Sequence, residues 1–201
     1  MLLPKPPLEK EFENAPAGAH VGRCYKFIDL GTQPKTYQGQ TSLKHMVGIG
    51  WELPLELMKD GRAFTTYQSY NWSMHPKSTL REMLENWRGV KFTDADFGEG
   101  GFDTKKLIGA TCTISVVHNP GKDGKVYANI ASVSRAMKGI EIPPMVNEAV
   151  YFSFDDFDGE VLNKLSQKMR DAIMRTPEYA KITGQSNEQP VPELDDQECP
   201  F

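Results

Sequence analysis

Residues 62–89, RAFTTYQSYNWSMHPKSTLREMLENWRG, change their period partway along, and few arrangements accommodate that change. From Phe64 to Met74, the residues Phe64, Thr66, Gln68, Tyr70, Trp72 and Met74 alternate with the more polar Thr65, Tyr67, Ser69, Asn71 and Ser73. A period of two, rich in Thr and aromatics, makes a half-buried strand. The alternation sends Tyr70 and Trp72 to the core side with Phe64, and Tyr67 to the other. Then the period lengthens. Ser78 or Thr79 can cap a helix, and Glu82 stands at capping-box spacing from Thr79. Leu80, Met83, Leu84 and Trp87 share one helical face, and Gly89 is a natural stop.

The rest of the chain supplies two strands before this unit and two after it. The first spans about 20–30 (HVGRCYKFIDL), where Val21, Tyr25 and Phe27 mix with Arg23 and Lys26, so that one face is wet and basic. The stretch GTQPKTYQGQTSLK reads as a loop from its Gly, Pro, Gln and Thr content, and it carries Lys35, Tyr37 and Lys44. The second strand spans about 44–53, with Gly48 and Gly50 spaced by two on one face. Such a pair leaves either a smooth floor that a ligand can approach or a bend in a curved strand. The fourth spans about 107–118, with Ile108, Ala110, Cys112, Ile114 and Val116 as its apolar face. A turn with Lys122 and Lys125 leads to the fifth, about 126–135, where Tyr127 and Asn129 face away from Val126, Ala128 and Ile130. Strand, strand, strand, helix, strand, strand is the order of a five-stranded OB barrel, a mainly β fold with α, whose second and third strands and connecting loops bind oligonucleotides and oligosaccharides.

The chain divides into an extended N-terminal arm (1–14), the barrel (15–138), a C-terminal extension (139–183) and an acidic tail (184–201) that is disordered by composition. In the extension, 159–175 reads as one helix with Leu162, Leu165, Met169 and Ile173 on a stripe that can pack on its own barrel or on a second subunit of a homo-oligomer. Charge follows the same division. Residues 20–138 hold 16 Lys and Arg against 11 Asp and Glu, whereas 139–201 hold 5 against 13. A basic body with an acidic tail suits a nucleic-acid protein. No apolar run reaches the length a membrane helix needs, and no membrane partner is expected. Cys24, Cys112 and Cys199 lack metal-ligand spacing, and Cys24 and Cys112 lie in strands as small hydrophobes.

Catalytic signals are sparse. His20, His45, His75 and His118 are scattered, although His75 and His118 end strands and could approach one another. The GEGG run lacks the lysine and hydroxyl of a phosphate loop. Asp155, Asp156 and Asp158 can complement a helix N-terminus or, as an alternative, hold a metal for a nuclease. No enzyme and no cofactor is expected. A binding surface is better supported: Tyr25, Tyr37, Tyr67 and Tyr127 are the rings expected to be exposed, beside Arg23, Lys26, Lys35, Lys44, Lys122 and Lys125. Bases stack on such rings while cations track phosphates.

The chain closes on DDQECPF. This resembles the acidic, Pro-Phe-ending tip of bacterial and phage single-stranded-DNA-binding proteins. The resemblance implies that Phe201 and Pro200 enter an apolar pocket of a replication, recombination or repair partner while Asp195, Asp196 and Glu198 meet basic residues around it. Cys199 departs from that pattern, standing where the usual tip has an aliphatic residue. Over roughly 15–180, the stretches WELP, DGRAF, HPKSTLREMLENWRG and KVYANIASVS resemble a family of phage-encoded proteins regarded as single-stranded-DNA-binding or replication-associated. The expectation is sequence-independent binding of single-stranded DNA in the cytoplasm of an infected bacterial host. The alternatives are an OB-fold adaptor between proteins and the metal-dependent nuclease.

Overall fold

A computed structural model of the chain describes residues 13–121 and 124–184. The body is mainly β. Strands β1 (Gly18–Tyr37), β2 (Gln40–Leu57) and β3 (Ala63–Asn71) form an antiparallel meander, followed by helix α1 (Thr79–Arg88) and the hairpin β4 (Thr111–Pro120) and β5 (Val126–Arg135). Hydrogen bonds order the sheet β3-β2-β1-β4-β5. β4 takes the edge of β1 over Gly18–Arg23, and a short β6 (Val150–Phe152) continues that edge in parallel over Lys26–Ile28.

The alternating residues fill the interior. Trp51, Ile49, Val47, Cys24, Cys112 and Ile114 are buried together with Phe64 and Tyr70. Burial pushes the Cys24 thiol up to about 12, so it behaves as a small hydrophobe. α1 closes the end where β3 finishes, as its apolar stripe requires. Trp87 packs 5.8 Å from Trp51 between ring centroids, and its Nε1 donates to the Thr111 carbonyl at 2.9 Å. Ser78 provides the cap, its hydroxyl accepting from the Arg81 amide, and Gly89 ends the helix in the left-handed region. Glu85, buried on this helix, accepts from Lys91 at 2.7 Å, Arg81 at 2.9 Å and the Phe92 amide at 3.1 Å, and these donors hold its carboxyl down to about 2.

The structure corrects several expectations. The stretch 31–44 is strand rather than loop: β1 and β2 run on as a ribbon to a two-residue turn at Gln38 and Gly39, whose φ values of 50° and 77° match the strands' twist. Hydroxyls of Thr36 and Thr41 bond across it at 2.8 Å. The fourth strand starts later than expected, because Thr104–Leu107 is a turn of 3₁₀-helix. The helix expected over 159–175 is two, α2 (Gly159–Lys164) and α3 (Gln167–Met174), since Ser166 turns its hydroxyl to cap Met169. A third helix, α4 (Pro177–Thr183), had a legible start in Thr176-Pro177-Glu178, with Thr176 capping Tyr179 and Pro177 in the first turn.

The apolar stripe of the extension packs on the chain's own sheet. Leu162, Leu165, Met169 and Ile173 meet Ile28, Leu30, Met46 and Phe152 on the outer sheet face. Polar contacts fix the docking. Buried Gln33 donates to the carbonyls of Leu30 and Ala172, and Glu178 accepts from the Thr32 amide at 3.0 Å and its hydroxyl at 2.6 Å. Among the described residues, no helix is long and apolar enough to cross a membrane.

Candidate functional site

A groove of about 1030 Å³ opens beside β3, between the β3 and β5 sides of the sheet. Its walls come from Tyr25 and Lys26 of β1, Ala63–Gln68 of β3 and Tyr127–Ile130 of β5, with segments 13–15 and 146–150 on its rim. Four residues expected at a binding surface thus converge here: Tyr25, Lys26, Tyr67 and Tyr127.

Local register explains the convergence. Gly50 pairs with Lys26 on one side and Tyr67 on the other, and directly paired residues share a face. The two strand glycines make room for rings of the protein itself. A Cβ on Gly48 would overlap the Tyr67 hydroxyl and ring, and one on Gly50 would stand 3.1 Å from the Lys26 stem and 3.4 Å from the Tyr25 ring. Tyr25 is therefore buried rather than exposed, a correction, and it supports Lys26, whose ammonium lies 5.2 Å from the ring centroid. Tyr67 and Tyr127 are half-buried, each offering part of a ring to the groove.

Both rims are pinned. Asn14 donates to the Val126 carbonyl at 2.6 Å and accepts from the Ala128 amide at 3.3 Å, so its side chain substitutes for a strand neighbour along β5. The opposite rim hangs on Glu52. This fully buried carboxylate accepts from the amides of Val146 (3.2 Å) and Asn147 (3.0 Å) and from Asn147 Nδ2 (2.8 Å). The charge of the lining is mixed. Lys26 and Arg62 face Glu13, Asp60 and Glu148, and Arg62 pairs with Asp60 at 2.7 Å.

The other expected residues lie elsewhere. Lys35, Tyr37 and Lys44 are on the distal ribbon, where Tyr37 is 75% exposed. The register Gln33–Lys44 and Lys35–Ser42 puts both lysines on the face that carries Lys26 and Gly50. At about 3.3 Å per residue Lys35 stands roughly 30 Å and Lys44 roughly 20 Å from Lys26, with α3 packed on Gln33 between them. Arg23 donates to the Ile142 carbonyl at 3.5 Å, under the chain leading to the Glu52 strap. Lys125 is exposed at the mouth of the β4–β5 turn, two residues before Tyr127. Lys122 and the tip residues Asp195, Asp196, Glu198, Pro200 and Phe201 lie outside the described residues.

Two alternatives do not hold in the geometry, while Asp158 takes the helix N-terminal role expected of it. His75 follows the far end of β3, whereas His118 sits on β4 near the opposite end and donates through Nε2 to the Ala15 carbonyl at 2.8 Å. Asp155, Asp156 and Asp158 do not converge: Asp156 pairs with Lys105 at 2.9 Å and Asp158 caps α2. Among the described residues, no three His, Cys, Asp or Glu side chains could hold a metal ion together. Alternation alone also hid an exposed ring. Trp72, placed on the core side by its parity, is 43% exposed, because the sheet ends at Asn71 and its ring rests on the rim with only an edge against Phe27. Compared with known proteins, the chain matches no family model and no curated protein.

Proposed function

We propose that this chain is a single-stranded-DNA-binding protein built on a five-stranded OB barrel, acting without sequence preference in phage DNA replication, recombination or repair. Two features support the barrel: the sheet order β3-β2-β1-β4-β5 and the helix between the third and fourth strands, packed at the barrel end. The observation that carries the binding reading is the meeting of Tyr25, Lys26, Tyr67 and Tyr127, from three strands, in one groove. The half-buried rings of Tyr67 and Tyr127 stack bases, and Lys26, supported by the buried Tyr25 ring, pairs with phosphate. The turn with Lys125 adds a cation beside the β5 wall of the groove, and the distal ribbon with Lys35 and Lys44 adds two more farther along the sheet face that carries Lys26. The acidic tail recruits partner proteins and competes with DNA for the basic surfaces as a tethered polyanion. Removing 185–201 therefore leaves DNA affinity equal or higher and abolishes partner binding.

The second reading, a protein–protein adaptor, is favoured by Glu13, Asp60 and Glu148 on the groove rim, which repel phosphates. Fluorescence anisotropy of labelled oligo-dT at two salt concentrations, with labelled duplex as control, separates the two. Tight, salt-sensitive binding to the single strand alone supports the first reading, and no binding to either nucleic acid sinks it in favour of the adaptor.

A further inference from the structure

Glu13 and Asn14 stand on the rim of the groove and reach opposite walls. The Glu13 carboxylate accepts from the Lys59 amide, in the β2–β3 turn, at 3.3 and 3.4 Å. The Asn14 side chain bonds the β5 backbone at Val126 and Ala128. Successive side chains on opposite sides are the mark of an extended chain. The backbone at 13–14 therefore lies between the β3 side and the β5 side, at the end of the groove where both strands begin. The sheet path β3-β2-β1-β4-β5 ends on these same two strands, so the groove is the seam between the sheet's two end strands.

Residues 1–12, MLLPKPPLEKEF, lie outside the described residues and lead into this point. In their sequence Leu8, Lys10 and Phe12 keep the parity of Asn14, while Glu9 and Glu11 keep that of Glu13. Length agrees with the groove: the five residues 8–12 span roughly 17 Å when extended, at about 3.3 Å per residue, as does the β3 wall from Ala63 to Gln68. Charge agrees as well. In the lining Asp60 is already paired with Arg62, and Glu148 with Lys164, so neither sign dominates. That suits a segment of mixed charge such as Glu9-Lys10-Glu11 better than it suits a polyanion. We propose that residues 8–12 of the chain dock along this groove, with Leu8 and Phe12 toward the β5 wall and Glu9 and Glu11 toward the β3 wall, and that a single strand displaces them to reach Tyr67 and Tyr127. The docking stands on the groove and its rim; the displacement rests on the single-strand-binding reading.

The test uses the full chain with the photo-crosslinker p-benzoylphenylalanine in place of Phe12, its crosslinks mapped by mass spectrometry. Anisotropy of labelled oligo-dT is measured in parallel on the parent protein and on the double variant Leu8→Ala, Phe12→Ala. A crosslink within one chain, from position 12 to residues 63–68 of β3 or 127–130 of β5, is expected, and excess oligo-dT lowers its yield. The double variant binds oligo-dT about three- to tenfold more tightly, as for a groove that docking leaves open about a tenth to a third of the time. A crosslink to any other segment, a crosslink joining two chains, or none at all overturns the docking. A crosslink yield that oligo-dT leaves unchanged, or equal affinity of parent and variant, overturns the displacement. Where neither protein binds oligo-dT and the expected crosslink forms, the docking stands and the single-strand-binding reading falls instead.

Discussion

Tyr67 lies across Gly48, and the space it occupies is the space a side chain on that glycine would need. The two residues are diagonal neighbours on antiparallel strands, since Gly48 pairs with Ser69 and Gly50 with Tyr67. The missing side chain lets the ring lean along β2 at the edge of the groove. Gly48→Ala therefore displaces Tyr67, destabilises the fold by about 1–3 kcal/mol as an overpacking substitution, and weakens oligo-dT binding. In a Tyr67→Ala background the three atoms nearest to the added Cβ are gone, and the same change should cost less. A double-mutant cycle by urea denaturation should give a coupling of about 0.5–3 kcal/mol. Additive costs would show that the ring and the glycine do not share that space.

The ribbon lysines are predicted to act through charge alone. Lys35 and Lys44 share the ribbon face that continues from Lys26 but stand far from the groove. Replacing either with alanine should lower the slope of log affinity against log salt by about 0.7, as expected for one phosphate contact on a single strand. It should change stability by less than about 0.5 kcal/mol. Titrations of each variant at three salt concentrations check this, and an unchanged slope removes the ribbon from the binding path.

Local periodicity made β3 and α1 legible, because each buries one face. α1 ends at Gly89, and β5 occupies Val126–Arg135 as expected, although Val126 is exposed and Val133 is its buried residue. The ribbon was illegible because Gly, Pro, Gln and Thr suggest a loop. The pairing that makes 31–44 a strand comes from β2, a partner in another part of the sequence. Tyr25 was misjudged for a related reason. A bulge between Cys24 and Lys26 breaks the alternation, so no count of twos could place its ring. Glu52 gave no signal, since what buries it is a strap some 94 residues further along the chain.

That strap gives a stability prediction. Glu52 meets three N–H donors of Val146 and Asn147 with two carboxylate oxygens. Glu52→Leu keeps the volume but leaves those donors without an acceptor, and should cost about 1–3 kcal/mol for the unsatisfied groups. Glu52→Gln should cost less, because its amide oxygen can still take both bonds from Asn147. The expected ranking in urea midpoints is parent, then Gln, then Leu. A Leu variant as stable as the parent would mean that the strap is held by something other than this carboxylate.

The junction of ribbon and C-terminal helices carries a pH dependence through His45. The Asp29 carboxylate, 2.6 Å from Nε2, raises the His45 pKa above 6.5; burial acts against it, and Glu178, 3.6 Å from Nδ1, and Asp155 add to the rise. Because the folded-state value is the higher one, the stability this group contributes is fully present below the unfolded value and is lost as pH rises through the folded value. Glu178 belongs to α4 and also binds Thr32, so weakening His45 loosens the attachment of α4 to β1. His45→Gln removes the titration. Melting temperatures measured at about pH 5.5 and about pH 8, on either side of an ordinary histidine, should show the parent more stable than the variant at the lower pH. That gap should shrink at the higher pH. A gap that stays constant or widens with pH would show that the Asp29–His45 pair does not stabilise the fold through the charged imidazole.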